Sequence, residues 1–450
     1  MIVMKFGGTS VESTEAITRV AGIVRDRLSQ KPVVVVSAMG KTTNKLLAIA
    51  AAAVGGERDR ALKDLVALRA FHLSESAGLG IEAEIECHFL ELVELIKGLA
   101  VMGELTPRAT DAVSAYGERL SSIIVAARFR ALGLAATQVD SRTVLVTDKR
   151  HTQAAPLFEQ TNQKLRNVIP PLLLQGVVVM GGFIASTEDG VTTTLGRGGS
   201  DYTASIVGAG IDADEIQIWT DVDGMLTADP TILPSGYRVK VCSFAEAAEL
   251  AYFGAKVLHP ATVLPAIEKN IPVRILNSKR PQVEGTLIVH EPPASTCPIR
   301  SIACKRNITL VNIVSTRMLM AHGFLRRIFE VFDRFETPVD MLATSEVSVS
   351  LTIDNTTALT AIRQQLEQFA DVSIEDHLAI VCLVGENIRR SPDVAARAFM
   401  ALKEIPTHML SQGASQLNLS LVVGAADLAR AVESLHREFF SNPDPMAFAS

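Results

Sequence analysis

Two glycine-rich segments carry residue types that bind anions. Residues 5–10 read Lys-Phe-Gly-Gly-Thr-Ser and follow directly on a predicted strand. Residues 192–202 hold three glycines in four positions, at 196–199, together with Arg197 and Asp201. Adjacent glycines let backbone N–H groups approach an anion, and an arginine offers a bidentate fork to a carboxylate or a phosphate. The two segments together predict a site for phosphate or carboxylate groups.

Further polar residues stand where predicted strands end or helices begin. At the carboxyl edge of a parallel sheet such side chains reach a ligand lying above the strands. Each of them could contact a nucleotide or a small substrate, although a solvated position on a helix explains Glu118 equally well. The candidates are Ser37, Thr43, Glu118, Thr220, Asp221 and Lys256.

The common nucleotide-binding signatures are missing from the sequence. Gly40-Lys41-Thr42 looks like the end of a phosphate-binding loop, but Val35 stands where that motif needs its first glycine. Neither a G-x-G-x-x-G turn after a strand nor the H-R-D and D-F-G motifs of protein kinases occur. Rossmann and protein-kinase folds are therefore excluded.

The elements that must position these residues alternate between short β-rich runs and long amphipathic stretches over residues 1–290. This alternation predicts an α/β sandwich with a largely parallel central sheet between helices. Helices are predicted near 59–75, 82–98 and 108–131. The predicted buried strands are Ile2–Lys5, Pro32–Ser37, Gly176–Gly181, Glu215–Trp219 and Pro272–Leu276.

A proline-rich break at 291–298 predicts a domain boundary, because consecutive prolines continue neither a helix nor a central strand. Beyond it a strand-helix-strand-strand unit occurs twice. Residues 340–342 align with 408–410 and residues 349–351 with 417–419, at an offset of 68. We therefore predict a domain at 1–290 and two duplicated α+β modules at 299–375 and 376–450, the second completed by a strand near 300–306.

Composition narrows the classes of function. The 450 residues carry a formal charge of −6 and no block of like charge, which disfavours binding to nucleic acid or to a membrane surface. No apolar run approaches the ~18–20 residues needed to cross a bilayer. The five cysteines form no CxxC pair and the N-terminal residues do not read as a secretory signal, so a cytoplasmic location is expected.

Four motifs together resemble the aspartate kinases of the amino-acid kinase superfamily. They are residues 5–10, residues 116–118 (Tyr-Gly-Glu), residues 194–201 (Thr-Leu-Gly-Arg-Gly-Gly-Ser-Asp) and residues 253–260 (Phe-Gly-Ala-Lys-Val-Leu-His-Pro). The duplicated C-terminal modules resemble the tandem ACT modules of that family, which have a ferredoxin-like fold. The likeness covers essentially the whole chain and is greatest to the monofunctional, lysine-sensitive type, aspartokinase III.

The resemblance implies transfer of the ATP γ-phosphoryl group to the side-chain carboxylate of L-aspartate. The product, 4-phospho-L-aspartate, opens lysine, threonine and methionine biosynthesis. MgATP would be the co-substrate, with Mg²⁺ held through ATP and no metal ligand assigned to the protein. The implied catalytic residues are Lys5, Arg197 and Asp201, and the implied aspartate-binding residues are Thr43, Glu118, Arg197, Gly198, Gly199 and Ser200. The implied ATP-binding residues are Lys5, Phe6, Gly7, Gly8, Ser37, Thr220, Asp221, Leu226, Lys256 and Val257.

The same likeness implies an allosteric site in the first ACT-like module. Lysine is favoured as the effector, with threonine and no effector as the alternatives. Relatives commonly carry tyrosine and arginine at positions 226 and 231, and histidine and serine at positions 320 and 321. The implied effector contacts are Met318, Ala321, Gly323, Phe324, Leu325, Pro338, Val339, Asp340, Ser345 and Glu346.

Two other functions stay open from the sequence. The same fold could phosphorylate another acceptor, such as glutamate, acetylglutamate or a phosphate, or the chain could be a non-catalytic amino-acid sensor. The retention of Lys5, Arg197 and Asp201 argues against a sensor. ACT modules commonly pair across a twofold axis, so a homodimer or a dimer of dimers is expected.

Overall fold

The computed structural model describes residues 1–254, 260–293, 295–315, 322–386, 388–413 and 415–449. Its strands are β1 Ile2–Phe6, β2 Pro32–Val36, β3 Ala136–Val139, β4 Val146–Thr147, β5 Val177–Gly181, β6 Ile184–Thr187, β7 Thr192–Thr194, β8 Glu215–Thr220, β9 Arg238–Val239, β10 Val241–Ser243, β11 Val273–Asn277, β12 Thr286–Val289, β13 Ser301–Val314, β14 Met341–Thr344, β15 Ser348–Ile353, β16 Asp371–Val384, β17 Thr407–Gln412, β18 Asn418–Gly424 and β19 Phe448–Ala449. Its α-helices are α1 Thr14–Arg25, α2 Thr42–Val54, α3 Arg58–Glu75, α4 Glu82–Met102, α5 Pro107–Ser114, α6 Tyr116–Ala131, α7 Ser141–Val144, α8 Phe158–Leu173, α9 Gly199–Gly210, α10 Phe244–Tyr252, α11 Leu264–Glu268, α12 Phe324–Arg334, α13 Leu359–Leu366, α14 Pro392–Ala401 and α15 Leu428–Phe440.

The chain forms two compact units. The first contains Met1–Met225 and Val257–Pro292, and the second contains Leu226–Lys256 and Pro293–Ser450. The segment predicted as one catalytic domain, 1–290, thus contributes residues 226–256 to the second unit. The division into compact units tests neither the predicted domain boundary near residue 290 nor the predicted boundary between the two ACT-like modules. Both boundaries stay predictions.

The first unit is built on one sheet with the strand order β12-β11-β8-β1-β2-β5-β3. All neighbouring pairs in this order are parallel except β11 with β12. Strand β2 is four valines after a proline, and all of its residues are buried. β-Branched residues pack well on a pleated surface, and strands buried on both faces read as continuous apolar runs. The predicted sandwich with a largely parallel sheet is confirmed.

Helices cover the sheet of this unit. Helix α1 buries the face that carries Ile17, Val20 and Val24 in a core shared with α2, α3, α4 and α6. Helix α8 packs on β5, and α9 packs on β1, β2 and β8. Leu165 of α8 and Val207 of α9 are fully buried. The sequence predicted one helix over 108–131, and this is wrong: it is divided at Ala115 into α5 and α6. The division lies beside Gly117, where an added Cβ would stand 2.8 Å from the Ala38 side chain.

The second unit contains a sheet with the strand order β14-β15-β13-β16-β18-β17. All of these pairs are antiparallel, and the two long central strands pair along most of their length. Residues 308–314 of β13 pair with 371–378 of β16, next to β15 and β14. Residues 301–305 pair with 380–384, next to β18 and β17. Each long strand therefore contributes to both halves of the sheet.

The two halves repeat the same arrangement of strands, but not at one constant offset. Met341 pairs with Thr352, and the corresponding Met409 pairs with Val422. The first strands thus correspond at an offset of 68 and the second strands at 70, so the predicted alignment of 349–351 with 417–419 is wrong by two residues. The reason is hairpin length, because residues 345–347 join the strands in the first half and residues 413–417 in the second.

None of the helices in the described ranges combines the length and the apolar character needed to cross a bilayer.

Candidate active site

Four adjacent parallel strands end together at one edge of the sheet in the first unit. Phe6, the last residue of β1, is level with Val36 of β2 and Trp219 of β8, and Val36 is level with Gly181 of β5. The segments that leave these strands therefore start from a common edge. In a parallel sheet this carboxyl edge is where ligands bind.

A pocket of about 370 Å³ is formed by segments at this edge. It unites the first glycine-rich segment, the start of α2, helix α6 and the second glycine-rich segment. The lining residues are Lys5, Ser37, Thr43, Asn44, Glu118, Phe183, Gly196, Arg197, Gly198, Gly199, Ser200 and Asp201. The sequence-predicted catalytic and aspartate-binding residues are thus brought together from four separate stretches of chain.

A short ion pair links Lys5 to Asp201 in this pocket. The Lys5 Nζ atom lies 2.7 Å from Asp201 Oδ1, and the two side chains are 12% and 16% exposed. Gly7 lies beside the ammonium, and a Cβ there would make an ordinary van der Waals contact of 3.8 Å with Nζ. Asp201 stands in the first turn of α9, whose N-cap Gly198 has a φ of 74°. The unpaired N–H groups of a helix start favour an anion at this point.

Glu118 presents a carboxyl group with one oxygen held and the other available. The Ala38 N–H donates to Oε1 at 3.1 Å, whereas Oε2 is buried and accepts no hydrogen bond from the residues described. Burial raises the pKa of Glu118 to about 8, and the Ala38 N–H opposes that rise only in part. Gly181 permits the close packing, because a Cβ there would stand 3.0 Å from the Glu118 Cβ. The pocket therefore contains a carboxyl group suited to a cationic partner.

Arg197 supplies positive charge to the same pocket. Its side chain is exposed and makes no hydrogen bond or ion pair within the parts of the chain that the structure describes. Thr43 and Ser200 add hydroxyl groups to the lining. A free guanidinium fork next to hydroxyl donors can hold a carboxylate in a fixed orientation.

The residues predicted to bind nucleotide are distributed less simply. Ser37 lines the pocket, Thr220 is the last residue of β8, and Asp221 follows it at the same edge of the sheet. Gly8 fits tightly, since a Cβ would stand 2.8 Å from the carbonyl oxygens of Ala38 and Gly40. The Phe6 side chain is fully buried and stacks on Trp219 at 5.7 Å between ring centroids, which leaves only its backbone for a ligand.

Three further nucleotide predictions fall elsewhere. Leu226 belongs to the second unit, where its carbonyl accepts a hydrogen bond of 2.7 Å from the Ser301 hydroxyl. Lys256 and Val257 lie outside the described residues.

The predicted effector residues lie in the second unit. Met318 and Ala321 are outside the described residues. Gly323 is the N-cap of α12 with a φ of 81°, and Phe324 is buried in the core of the first ACT-like half while Leu325 is exposed. Pro338 is exposed and Val339 packs on that core.

The polar effector candidates do not form one cluster in a single chain. Asp340 precedes β14, whereas Ser345 and Glu346 follow it in an exposed hairpin. At about 3.3 Å per residue, Asp340 and Ser345 are separated by roughly 16 Å. Asp340 also has an intramolecular partner, because Lys305 Nζ lies 2.6 Å from its Oδ1 and 2.8 Å from Asp354 Oδ2.

Several lining residues were missed in the sequence. Asn44 follows the predicted Thr43, and Phe183, with a φ of 64°, follows a pair of glycines at 181–182, the first of which ends β5. A glycine pair at the end of a buried strand was the available signal for Phe183. Nothing in the local sequence marks the Ala38 N–H as the partner of Glu118, because that contact joins residues 80 positions apart.

Comparison with protein families agrees with the geometry. Residues 1–277 match the amino acid kinase family, and residues 311–369 and 381–439 each match an ACT domain. The chain therefore belongs to the amino acid kinase family, with two ACT domains at its C-terminal side.

Individual relatives define the group within that family. The chain is 40% identical to the chloroplastic aspartokinase 3 of Arabidopsis thaliana, over 97% of this chain and 81% of that protein. It is 37% identical to the lysine-sensitive aspartokinase 3 of Escherichia coli, over 98% of this chain and 99% of that protein. These similarities place it among the aspartokinases.

Two solved structures of Escherichia coli aspartokinase III are similar over nearly the whole chain, each at 36% identity. The complex with lysine and aspartate, a T-state, gives a TM-score of 0.85 and covers 98% of this chain and 99% of that one. The complex with aspartate and ADP, an R-state, gives 0.82 and covers 98% and 100%.

Proposed function

We propose that this chain phosphorylates the side-chain carboxylate of L-aspartate with MgATP, and that the 370 Å³ pocket binds both reacting groups. The observation that carries the proposal is the pairing of opposite unsatisfied groups in one pocket. The buried Oε2 of Glu118 lacks a partner among the described residues, and Arg197 is exposed beside it in the same lining. An α-amino acid offers an ammonium for the first of these groups and a carboxylate for the second.

In this proposal the substrate is held at its α-carbon end. Arg197 binds the α-carboxylate, Glu118 binds the α-ammonium, and Thr43 and Ser200 donate or accept hydrogen bonds. The side-chain carboxylate then points to the glycine-rich segments. A carboxylate with a pKa of ~4 is already ionised at neutral pH, so the acceptor needs no general base.

Catalysis then depends on positioning and on neutralising charge. Phosphoryl transfer through a loose transition state places negative charge on the equatorial oxygens, which cations and N–H groups stabilise. Lys5 supplies the cation, and the N–H groups of Gly8 and Gly198 are the further donors in this proposal, because those of Gly7 and Gly199 already donate to the carbonyls of Trp219 and Gly196. Asp201 holds the Lys5 ammonium at 2.7 Å and so fixes where that charge lies.

MgATP enters this scheme as a substrate. The carboxylates that line the pocket are Glu118 and Asp201, and no group of three or more His, Cys, Asp or Glu side chains suited to a metal occurs among the residues described. This donor set fits Mg²⁺ that arrives bound to the ATP phosphates, since Mg²⁺ commonly keeps phosphate and water ligands. Ser37, Thr220 and Asp221 are the described candidates for contacts to the nucleotide.

The direct test is an acyl-phosphate assay with hydroxylamine as the trap. We expect hydroxamate from ATP and L-aspartate, and much less from N-acetylaspartate, which lacks the ammonium that Glu118 would bind. Glutamate and acetylglutamate serve as competing acceptors. If hydroxamate forms only with another acceptor, the protein is a different amino-acid kinase. If no acceptor gives hydroxamate, the alternative of a non-catalytic amino-acid sensor is supported.

Regulation by an amino acid is a further part of the proposal, with lysine favoured. Two observations support it: the chain has two ACT domains, and it is similar to the lysine-sensitive aspartokinase 3 of Escherichia coli. Because Asp340 is already paired with Lys305, an effector ammonium must compete with an internal one. Titration of activity with lysine and with threonine tests this, and no response to millimolar lysine would remove the lysine assignment.

We also propose a homodimer formed through the second unit. Strands β14 and β17 are the two edges of its sheet, and Leu342 and Leu410 are exposed on them. An exposed edge strand with apolar side chains is a template for pairing with another chain. Light scattering on the purified protein distinguishes monomer, dimer and dimer of dimers.

A cytoplasmic location stays a prediction that rests on the cysteine pattern of the sequence.

A further inference from the structure

A fully buried carboxylate outside the pocket is linked by hydrogen bonds to the start of the loop that carries Arg197, here called the Arg197 loop. Asp111, on helix α5, is 0% exposed. Its Oδ1 accepts a hydrogen bond of 2.6 Å from the Thr194 hydroxyl, and the Thr152 N–H lies 3.0 Å from both carboxylate oxygens. The ring Nδ1 of His151 lies 2.7 Å from Oδ2. One carboxylate thus joins three residues from two distant segments.

Those two segments meet again at the start of the Arg197 loop. Thr194 ends β7, and its carbonyl accepts a hydrogen bond of 2.9 Å from the Ala154 N–H. Gly196 has a φ of 76°, and a Cβ there would stand 3.1 Å from the Thr152 carbonyl oxygen. Gly196 is therefore in close contact with the same segment that Asp111 holds. Arg197 is the next residue along the chain.

The local backbone shows that the arrangement needs an external restraint. Thr152 has a φ of 69°, in the left-handed region that residues with a Cβ seldom adopt, and a β-branched residue there is strained. The contacts of its N–H with both oxygens of Asp111 fix that conformation. No lysine or arginine in the described ranges pairs with Asp111, so a buried carboxylate is maintained mainly by hydrogen bonds. Its removal would leave three donors unpaired.

We propose that Asp111 is a positioning residue for substrate binding, which acts through Thr152 and Thr194 to fix the backbone that presents Arg197. His151 supports it by holding the second carboxylate oxygen. The inference rests on the proposed function, because it takes Arg197 as the residue that binds the α-carboxylate of aspartate. Asp111 does not line the pocket, so its effect must travel through the loop.

Single substitutions test whether the effect is selective for aspartate. Asp111→Leu removes both acceptor oxygens, and Asp111→Asn keeps the volume and one acceptor. We expect Asp111→Leu to raise the KM for aspartate about ten- to a hundredfold and Asp111→Asn to raise it less, with the KM for ATP within about twofold of the wild type. The matched control is Asp189→Asn, which breaks an exposed pair with Lys149 in the turn before β7. It should leave both KM values unchanged.

A double-mutant cycle separates positioning from a merely structural role. If Asp111 acts through Arg197, Asp111→Asn should change the KM for aspartate by less than about twofold in an Arg197→Ala background. Should Asp111→Leu fail to fold, Asp111→Asn and His151→Ala carry the same test, and His151→Gln should restore part of the aspartate affinity through its amide donor.

Three results would overturn the proposal. The first is a full, additive effect of Asp111→Asn in the Arg197→Ala background. The second is an equal rise of both KM values in the single variants. The third is an unchanged KM for aspartate in Arg197→Ala alone, which would remove the role proposed for Arg197. Failure of wild-type protein to form any aspartyl hydroxamate would instead refute the proposed function itself, so the two failures are distinguishable.

Discussion

The pocket of the first unit and the ion pairs of the second unit differ in how their buried ionisable groups are partnered. In the pocket of the first unit, Glu118 keeps a buried oxygen without a partner among the described residues, and Arg197 is exposed beside it. In the second unit, the buried side chains of Glu246 and Arg300 lie 3.3 Å apart, and Lys305 pairs with both Asp340 and Asp354. A buried carboxyl group without a partner either costs stability as an anion or keeps its proton, until a ligand supplies the partner.

Unpaired buried groups and paired buried groups indicate different roles. The unpaired groups of the pocket mark where a substrate fits, whereas the ion pairs of the second unit hold that unit together, each with one further buried atom, Arg300 Nη1 and Asp340 Oδ2, that accepts or donates no hydrogen bond among the described residues. Among the described residues that line the pocket, Lys5 and Asp201 form the one close ion pair. That pair orients the charge that a phosphoryl group would meet. The predictions below test whether each charge behaves as its surroundings indicate.

The largest effect is expected from Lys5→Ala, which removes the oriented cation of the pocket. Loss of one electrostatic stabiliser of a transition state reduces kcat by about 10²–10³. Steady-state kinetics with ATP and aspartate measures it, with Lys149→Ala as the control at an exposed ion pair. A kcat within tenfold of the wild type would refute the role of Lys5.

The second prediction concerns the paired charges of the other unit. Arg300→Met leaves Glu246 buried without its partner and should destabilise the second unit by about 3–5 kcal/mol. Glu246→Leu combined with Arg300→Met should lose less than the single variant, because no buried charge remains and the loss of the capping contacts from Ser243 to Glu246 costs only about 1 kcal/mol. Urea denaturation followed by circular dichroism measures both variants. An equal loss in the single and the double variant would show that charge pairing is not what stabilises this site.

The third prediction is a trade-off at Glu118. Glu118→Gln removes the anion that would bind the ammonium, so we expect the KM for aspartate to rise about tenfold. The same change should raise the melting temperature. The pKa of Glu118 is about 8 in the folded state against 4.5 as its ordinary value. Between these pH values the folded protein holds a proton that the unfolded chain has lost, so this group's effect on stability becomes less favourable as the pH rises.

The stability gain of Glu118→Gln should therefore grow from pH 5 to pH 8. Thermal denaturation at several pH values tests the sign. Glu91→Gln, at a partly exposed carboxylate that pairs with Arg119, controls for a general effect of removing a carboxylate. A stability difference that stays constant with pH would contradict the assignment of the raised pKa.

The smallest effect is expected from Lys305→Met. Removal of the internal ammonium frees Asp340 for an effector, so inhibition by lysine should occur at a concentration about three- to tenfold lower. Burial raises the pKa of Asp340, and Lys305 opposes that rise. Lys403→Met, at an exposed position, is the control. An unchanged inhibition constant would remove Asp340 from the effector site.

The sequence predicted the elements better than the contacts between them. Alternating apolar runs identified the central strands to within one or two residues, because strands buried on both faces leave a continuous apolar signal. The division at Ala115 and the longer hairpin at 413–417 were missed. Both depend on packing and loop length, which residue periodicity does not report.

For the functional site, too, the sequence predicted the segments but not the contacts between them. Glycine-rich segments and strand ends predicted which stretches line the pocket, because loops that need a left-handed backbone or a close approach mark themselves by glycine. The partners of Glu118, Asp111 and Asp340 could not be predicted, because they lie 35 to 83 residues away along the chain. The burial of Phe6 and Phe324 likewise follows from tertiary packing rather than from their motifs.

Proton release on binding aspartate tests the central claim most directly. The free protein holds a proton on Glu118 at pH 7, because its pKa is about 8. An ammonium bound against the carboxylate would lower that pKa and release the proton. Calorimetric titration of aspartate at pH 7 in buffers of different ionisation enthalpy should show the release of about one proton by the wild type and none by Glu118→Gln. Binding without proton release, or equal release by both proteins, would contradict the account.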